Sequence, residues 1–139
     1  MSLKVESSVK QIPYKQEAVY RVLSDFNNLE RIKGKIPSDK VEEFDFDSDS
    51  ITIKAQMVGE IKMRIIEREM PKTIKMESVQ SPVSFNMWIQ LLPLSEDACK
   101  MKLTVKADVS TMLKGLVEKP LRDGVEKIAS ALAMIPYED

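Results

Sequence analysis

A single stretch near the end of the chain constrains everything before it. Between Ser110 and Ile135, apolar residues stand at Leu113, Leu116, Val117, Leu121, Val125, Ile128, Leu132 and Ile135, in steps of three and four. That spacing lays one apolar stripe along a helix. Lys114, Glu118, Lys119, Arg122, Asp123, Glu126 and Lys127 take the other side, with Glu118–Arg122 and Asp123–Lys127 spaced as i,i+4 pairs. Ser110 or Thr111 caps the start and Pro136 stops the end. Such a stripe needs a long apolar surface to lie on, and strands must supply it.

The preceding chain reads as those strands. Leu3 to Gln11 alternates, with Leu3, Val5, Ser7 and Val9 on one face, until Pro13 ends it. A short helix is expected from about Lys15, burying Ala18, Val19, Val22 and Leu23. Leu29, Ile32 and Ile36 predict a second, ending by Gly34 or Pro37. From Val41 the period is two. The apolar positions are Ile51, Ile53, Ala55 and Met57; Ile61, Met63 and Ile65; Ile74 and Met76; Phe85, Met87, Ile89 and Leu91; Met101, Leu103, Val105 and Ala107. Ile66 breaks the alternation of its strand. Turn residues at 47–49, Gly59, Pro71-Lys72, Ser81-Pro82 and 95–97 separate the runs. Connections this short force antiparallel neighbours, so six strands form a meander whose lysine-bearing face is wet. Residues 1–139 are expected to form a single domain, without repeats or linker.

Composition excludes several functions. An apolar content of 43% and a charged content of 31% are those of a soluble globular chain with a real core. A net charge of -1, with both signs mixed, gives no reason to bind nucleic acid or anionic lipid. No run has the length of an integral membrane segment, and the N-terminus lacks a signal-peptide pattern. Cys99, the single cysteine, excludes an internal disulfide and leads us to expect a reducing, cytoplasmic setting. The absence of histidine removes the usual general base, the commonest metal ligand and the physiological-pH switch together.

Candidate chemistry is sparse. Asp45-x-Asp47-x-Asp49 opens like a calcium loop, but Ser50 stands where glycine is needed and Gln56 where the bidentate glutamate is needed. The run reads instead as a solvated hairpin turn. A serine nucleophile would need a lysine base, and Ser7-Ser8-Val9-Lys10 has the wrong spacing. Cys99 reads as a packing or edge cysteine. Glu67, Glu69 and Glu77 could form a carboxylate pair, though nothing in their spacing argues for it. No metal, cofactor or catalytic residue is expected.

The order of elements (strand, two short helices, six-strand meander, long helix) resembles the START-like, or polyketide-cyclase/lipid-transport (SRPBCC), superfamily. The segment Val19-Tyr20-Arg21-Val22-Leu23-Ser24-Asp25-Phe26-Asn27-Asn28-Leu29 is similar to that superfamily's helix and "D-x-x-N/R" segment. The strand end from Trp88 to Pro93 and the helix start Leu116-Val117-Glu118-Lys119-Pro120-Leu121 carry the resemblance further. It implies an α+β helix-grip fold: a curved antiparallel sheet of about seven strands around the C-terminal helix, with two short helices after the first strand. It also implies a small hydrophobic ligand, such as a lipid, quinone or polyketide-like molecule, held between sheet and helix without chemistry. The alternatives it brings are a polyketide cyclase or hydrolase, and a protein–protein interaction module like START-like toxins and co-chaperone domains. The lack of histidine favours the non-catalytic reading.

Within that frame the ligand wall is expected from Met57, Ile61, Met63, Met76, Met87, Ile89 and Met101, with Phe44 or Phe46 beside it. Met112, Leu113 and Leu116 are the expected lid. Thioethers adapt to varied apolar shapes, although methionines also simply fill cores. Pairing around Ser81-Pro82 sets Met76 opposite Met87 and Trp88 outward, opposite Lys75, as a cation–π contact or a homodimer contact with Ile66 and Val79. Gly115, Pro120 and Gly124 weaken the helix. They permit either close packing on a curved sheet or a helix start that lifts to admit ligand.

Overall fold

Among the described residues ten elements follow one another: β1 (Ser2–Glu6), β2 (Lys10–Ile12), α1 (Gln16–Leu23), β3 (Val41–Phe46), β4 (Ser50–Ala55), β5 (Gly59–Glu69), β6 (Thr73–Gln80), β7 (Phe85–Ser95), β8 (Ala98–Asp108) and α2 (Thr111–Ala133). The computed structural model describes residues 2–25, 27, 41–55, 59–80, 84–134 and 137, with side chains other than those at 2, 41–46, 53–55, 59–61, 80 and 131. All strands join one antiparallel sheet in the order β1-β8-β7-β6-β5-β4-β3, and β2 also pairs with β8. Helix α2 packs on β1, β2 and β8, while α1 packs on β7 and β8. This is the α+β helix-grip arrangement. The second short helix, expected over Leu29 to Ile36, lies outside the described residues, as does Met57.

Side-chain parity builds the core. Register aligns Ile65, Met76, Met87, Val105 and Val5 in one row across five strands. Ile74, Ile89 and Leu103 form the next row. All of these are buried. Across the sheet, Lys75 pairs with Trp88 and Thr104 with Glu6 on the opposite face, where Lys102 also bonds Glu6. The antiparallel meander, and the pairing of Met76 with Met87 and of Lys75 with Trp88, are those the short turns predict.

The ladder is irregular at several points, and three of them redirect side chains. The first strand is not continuous: Glu6 pairs with Thr104 and Lys10 with Met101, so Ser7, Ser8 and Val9 face only Leu103 and Lys102. This extra residue is a bulge. Ser7 stays inward and substitutes for the missing ladder, its N–H donating to the Leu103 carbonyl (2.9 Å) and its Oγ accepting the Leu103 N–H (2.9 Å). Val9, expected inside, is therefore 57% exposed, and Ile12 turns inward in its place. Ile66 is the extra residue between Ile65 and Glu67, and Val79 between Ser78 and Gln80; each bulge expels its apolar side chain to the surface.

The long helix is held unevenly. Ser110 Oγ accepts the Leu113 N–H (3.2 Å) and caps its start. Val125 and Ala129 are buried, whereas Leu116 in the first half is 71% exposed. A Cβ built on Gly115 or Gly124 meets nothing within 4 Å. Close approach to the sheet, one of the two reasons considered for these glycines, is thus ruled out. Beyond the helix, Tyr137 is buried, donates to the Leu132 carbonyl (2.7 Å) and sets its ring edge-on to Tyr14 at 6.0 Å. Burial pushes its phenol pKa upward, with Cys99 adding to the shift.

Candidate functional site

The inner face of the sheet is apolar. Met63, Met76, Met87, Ile89 and Met101 come from four neighbouring strands and are all buried. Met76 lies opposite Met87, Met63 opposite Ile51, and Met101 opposite Leu91. The backbones of Phe44 and Ile61 pair with Ile53, on the same sheet but further toward its β3 edge; their side chains lie outside the described set. The lid residues stand apart from this wall. Met112 is 84% exposed and Leu113 43%, so neither they nor Leu116 is packed against the methionines. A regular helix advances about 100° per residue, which places Met112 and Leu116 away from the line of Val117, Leu121 and Val125 that packs inward.

Polar groups ring the wall rather than line it. Arg68 faces inward opposite Ile74, but its Nε donates to the Ser24 carbonyl (2.9 Å) and its Nη2 bonds Asp49 (2.6 Å). This clamps the end of α1 to the β3–β4 turn. Nearby Tyr20 is buried, and desolvation raises its phenol pKa against the opposing pull of Arg68. Gln16 donates to the Leu91 carbonyl (3.1 Å) and pins the start of α1 to β7. Cys99 is fully buried on the inner face, where burial, and then Glu17, push its thiol pKa up. A thiol so placed is a packing group.

The acidic turn is structural. Asp47 accepts the N–H groups of Asp49 (2.9 Å) and Ser50 (2.8 Å) and the Ser50 hydroxyl (2.9 Å). The turn amide of Asp49, first of these, holds its pKa down. Trp88 faces outward, as the register predicts, with the Lys75 ammonium 5.4 Å from its ring centre and Lys106 at 6.0 Å. An open depression of about 390 Å³ lies near it, at the end of β6, β7 and β8.

One junction gave no signal in the sequence. Glu126 of α2 accepts the Ser8 N–H (2.8 Å), the Ser8 hydroxyl (2.7 Å) and the Lys10 ammonium (2.6 Å). Lys10, first, and then Ser8 bring its pKa down to about 2. The bulge makes this possible by turning Ser8 and Lys10 toward the same carboxylate. Ser7-Ser8-Val9-Lys10 is thus a helix anchor. Only the adjacency of two serines in a strand hinted at a bulge.

Sheet, short helix and grasping helix define a START-like fold. No protein-family model and no curated protein matches the sequence. Solved structures do match. Norcoclaurine synthase from Thalictrum flavum, in complex with dopamine and hydroxybenzaldehyde, is 15% identical with a TM-score of 0.75, over 96% of this chain and 85% of that one. A START superfamily protein from Mycobacterium smegmatis is 13% identical, TM-score 0.65, over 94% of both chains. A protein from Thermus thermophilus is 18% identical, TM-score 0.67, over 94% of both. At such identities the likeness is one of fold.

Proposed function

We propose that this chain binds or carries a small hydrophobic molecule, of lipid, quinone or polyketide-like character, on the inner wall of its sheet and without chemistry. One observation carries the reading: a continuous apolar wall bearing Met63, Met76, Met87 and Met101 lies in a sheet whose grasping helix buries Val125 and Ala129 in its second half while Met112 and Leu116 in its first turns stay exposed. Met76 is 1% exposed. Ligand therefore enters by displacing what covers the wall, and flexible thioethers make that repacking inexpensive. Met57, Ile61 and Phe44 belong to the same proposed site, and the first turns of α2, with Met112, Leu113 and Leu116, re-seat over the bound molecule. Removing ligand surface from water supplies about 25 cal/mol per Å². START-like fold neighbours support the reading, among them norcoclaurine synthase in complex with dopamine and hydroxybenzaldehyde. A cytoplasmic setting, resting on the single cysteine, belongs to the same proposal. So does a homodimer contact on the outer face, where Trp88 stands between two lysines and Ile66 and Val79 are exposed.

Native mass spectrometry of freshly purified protein should retain a lipid-sized adduct, and the protein should take up the neutral probe N-phenyl-1-naphthylamine. Met63→Trp, which fills the wall, should abolish uptake while circular dichroism stays unchanged. Lys75→Glu, on the outer face, should leave uptake alone. The opposite pattern would move the site to the surface.

A further inference from the structure

The depression at the end of β6, β7 and β8 is built from both faces of the sheet. Phe85 and Ala107 pair with each other on the inner parity, and Phe85 donates its N–H to Ser78 Oγ (3.0 Å). Ser78 in turn pairs with Met63. Two residues further along the same strands stand Met76, Met87 and Val105, about 7 Å away at the rise of an extended chain. Phe85 and Ala107, the apolar residues that line the depression, therefore stand in the row beside the methionine wall.

Its polar groups are mixed and charge-balanced. Ser78 accepts from Phe85 and keeps its own proton to donate. Asn86 donates to the Met76 carbonyl (3.3 Å), which leaves its amide oxygen as an acceptor, and Ser84 adds a hydroxyl. Glu77 is held by Arg64 (2.6 Å), so its charge is matched. Lys106 and Asp108 carry opposite signs. A head group with a full charge meets no net field of the opposite sign here, and burying it would cost solvation without a dedicated partner. Hydroxyls or an amide, which both donate and accept, match what the lining offers.

We infer that this depression holds the uncharged, hydrogen-bonding head of an amphipathic ligand whose apolar body lies on the methionine wall. The inference rests on the hydrophobic-ligand reading above and adds the class of the cargo: a neutral amphiphile with a hydroxyl-rich or amide head.

Trp88, the sole tryptophan, reports on the site because Lys106, one of its walls, sits over the indole. The test uses three probes with the same ten-carbon chain, below their micellar concentrations: decyl glucoside, decanoate and decyltrimethylammonium. Each is titrated by Trp88 emission and by displacement of N-phenyl-1-naphthylamine. Decyl glucoside should act at concentrations at least ~10-fold below either charged probe, a gap of about 1.4 kcal/mol. Asn86→Leu combined with Ser84→Ala should erase that ratio, with circular dichroism confirming the fold. If the three probes act alike, if a charged one is preferred, or if the ratio survives the double substitution, the head site is wrong while the apolar site stands. If N-phenyl-1-naphthylamine does not bind at all, the hydrophobic-ligand reading fails, and the head site with it.

Discussion

A carboxylate that accepts two hydrogen bonds from Ser8 and one from Lys10 resists protonation. Glu126 is held at about 2 against an ordinary 4.5, through Lys10 first and then Ser8. A depressed carboxylate contributes stability that is complete above the unfolded value and is lost as pH falls through the folded one. Glu126→Gln should therefore lower stability at pH 7, and its gap to the parent chain should close between pH 4.5 and 2 in urea titrations. A gap that stays constant across that window would assign the loss to packing instead. Ser7 invites a simpler test. Its hydroxyl is the acceptor for the buried Leu103 N–H, so Ser7→Ala should cost about 1–3 kcal/mol in urea unfolding. Ser7→Thr, which keeps the hydroxyl, should recover most of it.

At the scale of elements, α2 is two segments joined at Pro120, whose missing N–H leaves one helical bond unmade. The second segment is fixed by Val125, Glu126, Ala129 and, through Leu132, Tyr137. The first is capped by Ser110 and packs on the core through the half-buried Val117. Amide exchange should be faster over residues 114–119 than over 121–132, since local opening follows the density of buried contacts. Because a Cβ at Gly115 meets nothing, Gly115→Ala should stabilise the protein by about 0.5–1 kcal/mol and slow exchange in that first segment. If helix opening admits ligand, the same substitution should slow probe uptake in stopped flow. A clash, seen as a lowered Tm, would contradict the open space beside the glycine.

At the scale of the molecule, sheet and helix share one core that includes the row through Met76 and Met87. Met76 has almost no exposed surface, so Met76→Ala should cost about 2–5 kcal/mol through lost contacts and the void left behind. The void should also enlarge the space available to an apolar guest. Larger probes should bind better relative to small ones in Met76→Ala than in the parent, measured by displacement. Equal discrimination in both would place the guest elsewhere than on this wall.

Alternation with period two, turn residues at regular spacing and an amphipathic 3.6 repeat were enough to read the meander, the pairing of Met76 with Met87, the inward Met63, Met76, Met87 and Met101, and the outward Trp88 beside Lys75. These are local properties, since a strand's two faces and a short turn's pairing are fixed by neighbours in sequence. The bulges at 7–9 and 79 were not legible, and that at 66 showed only as a break in alternation, because an extra residue is accommodated only where the partner strand satisfies its exposed groups. Glu126 shows why: read along its helix it is one more charge on the polar side, yet its partner Ser8 lies 118 residues earlier in the chain. The open space beside Gly115 and Gly124, the exposure of Met112 and Leu116, and the depression where three strands end likewise depend on distances between segments remote in sequence. The sequence determined which residues face inward along each strand. Only the tertiary structure decided where that facing changes, and what the helix holds on to.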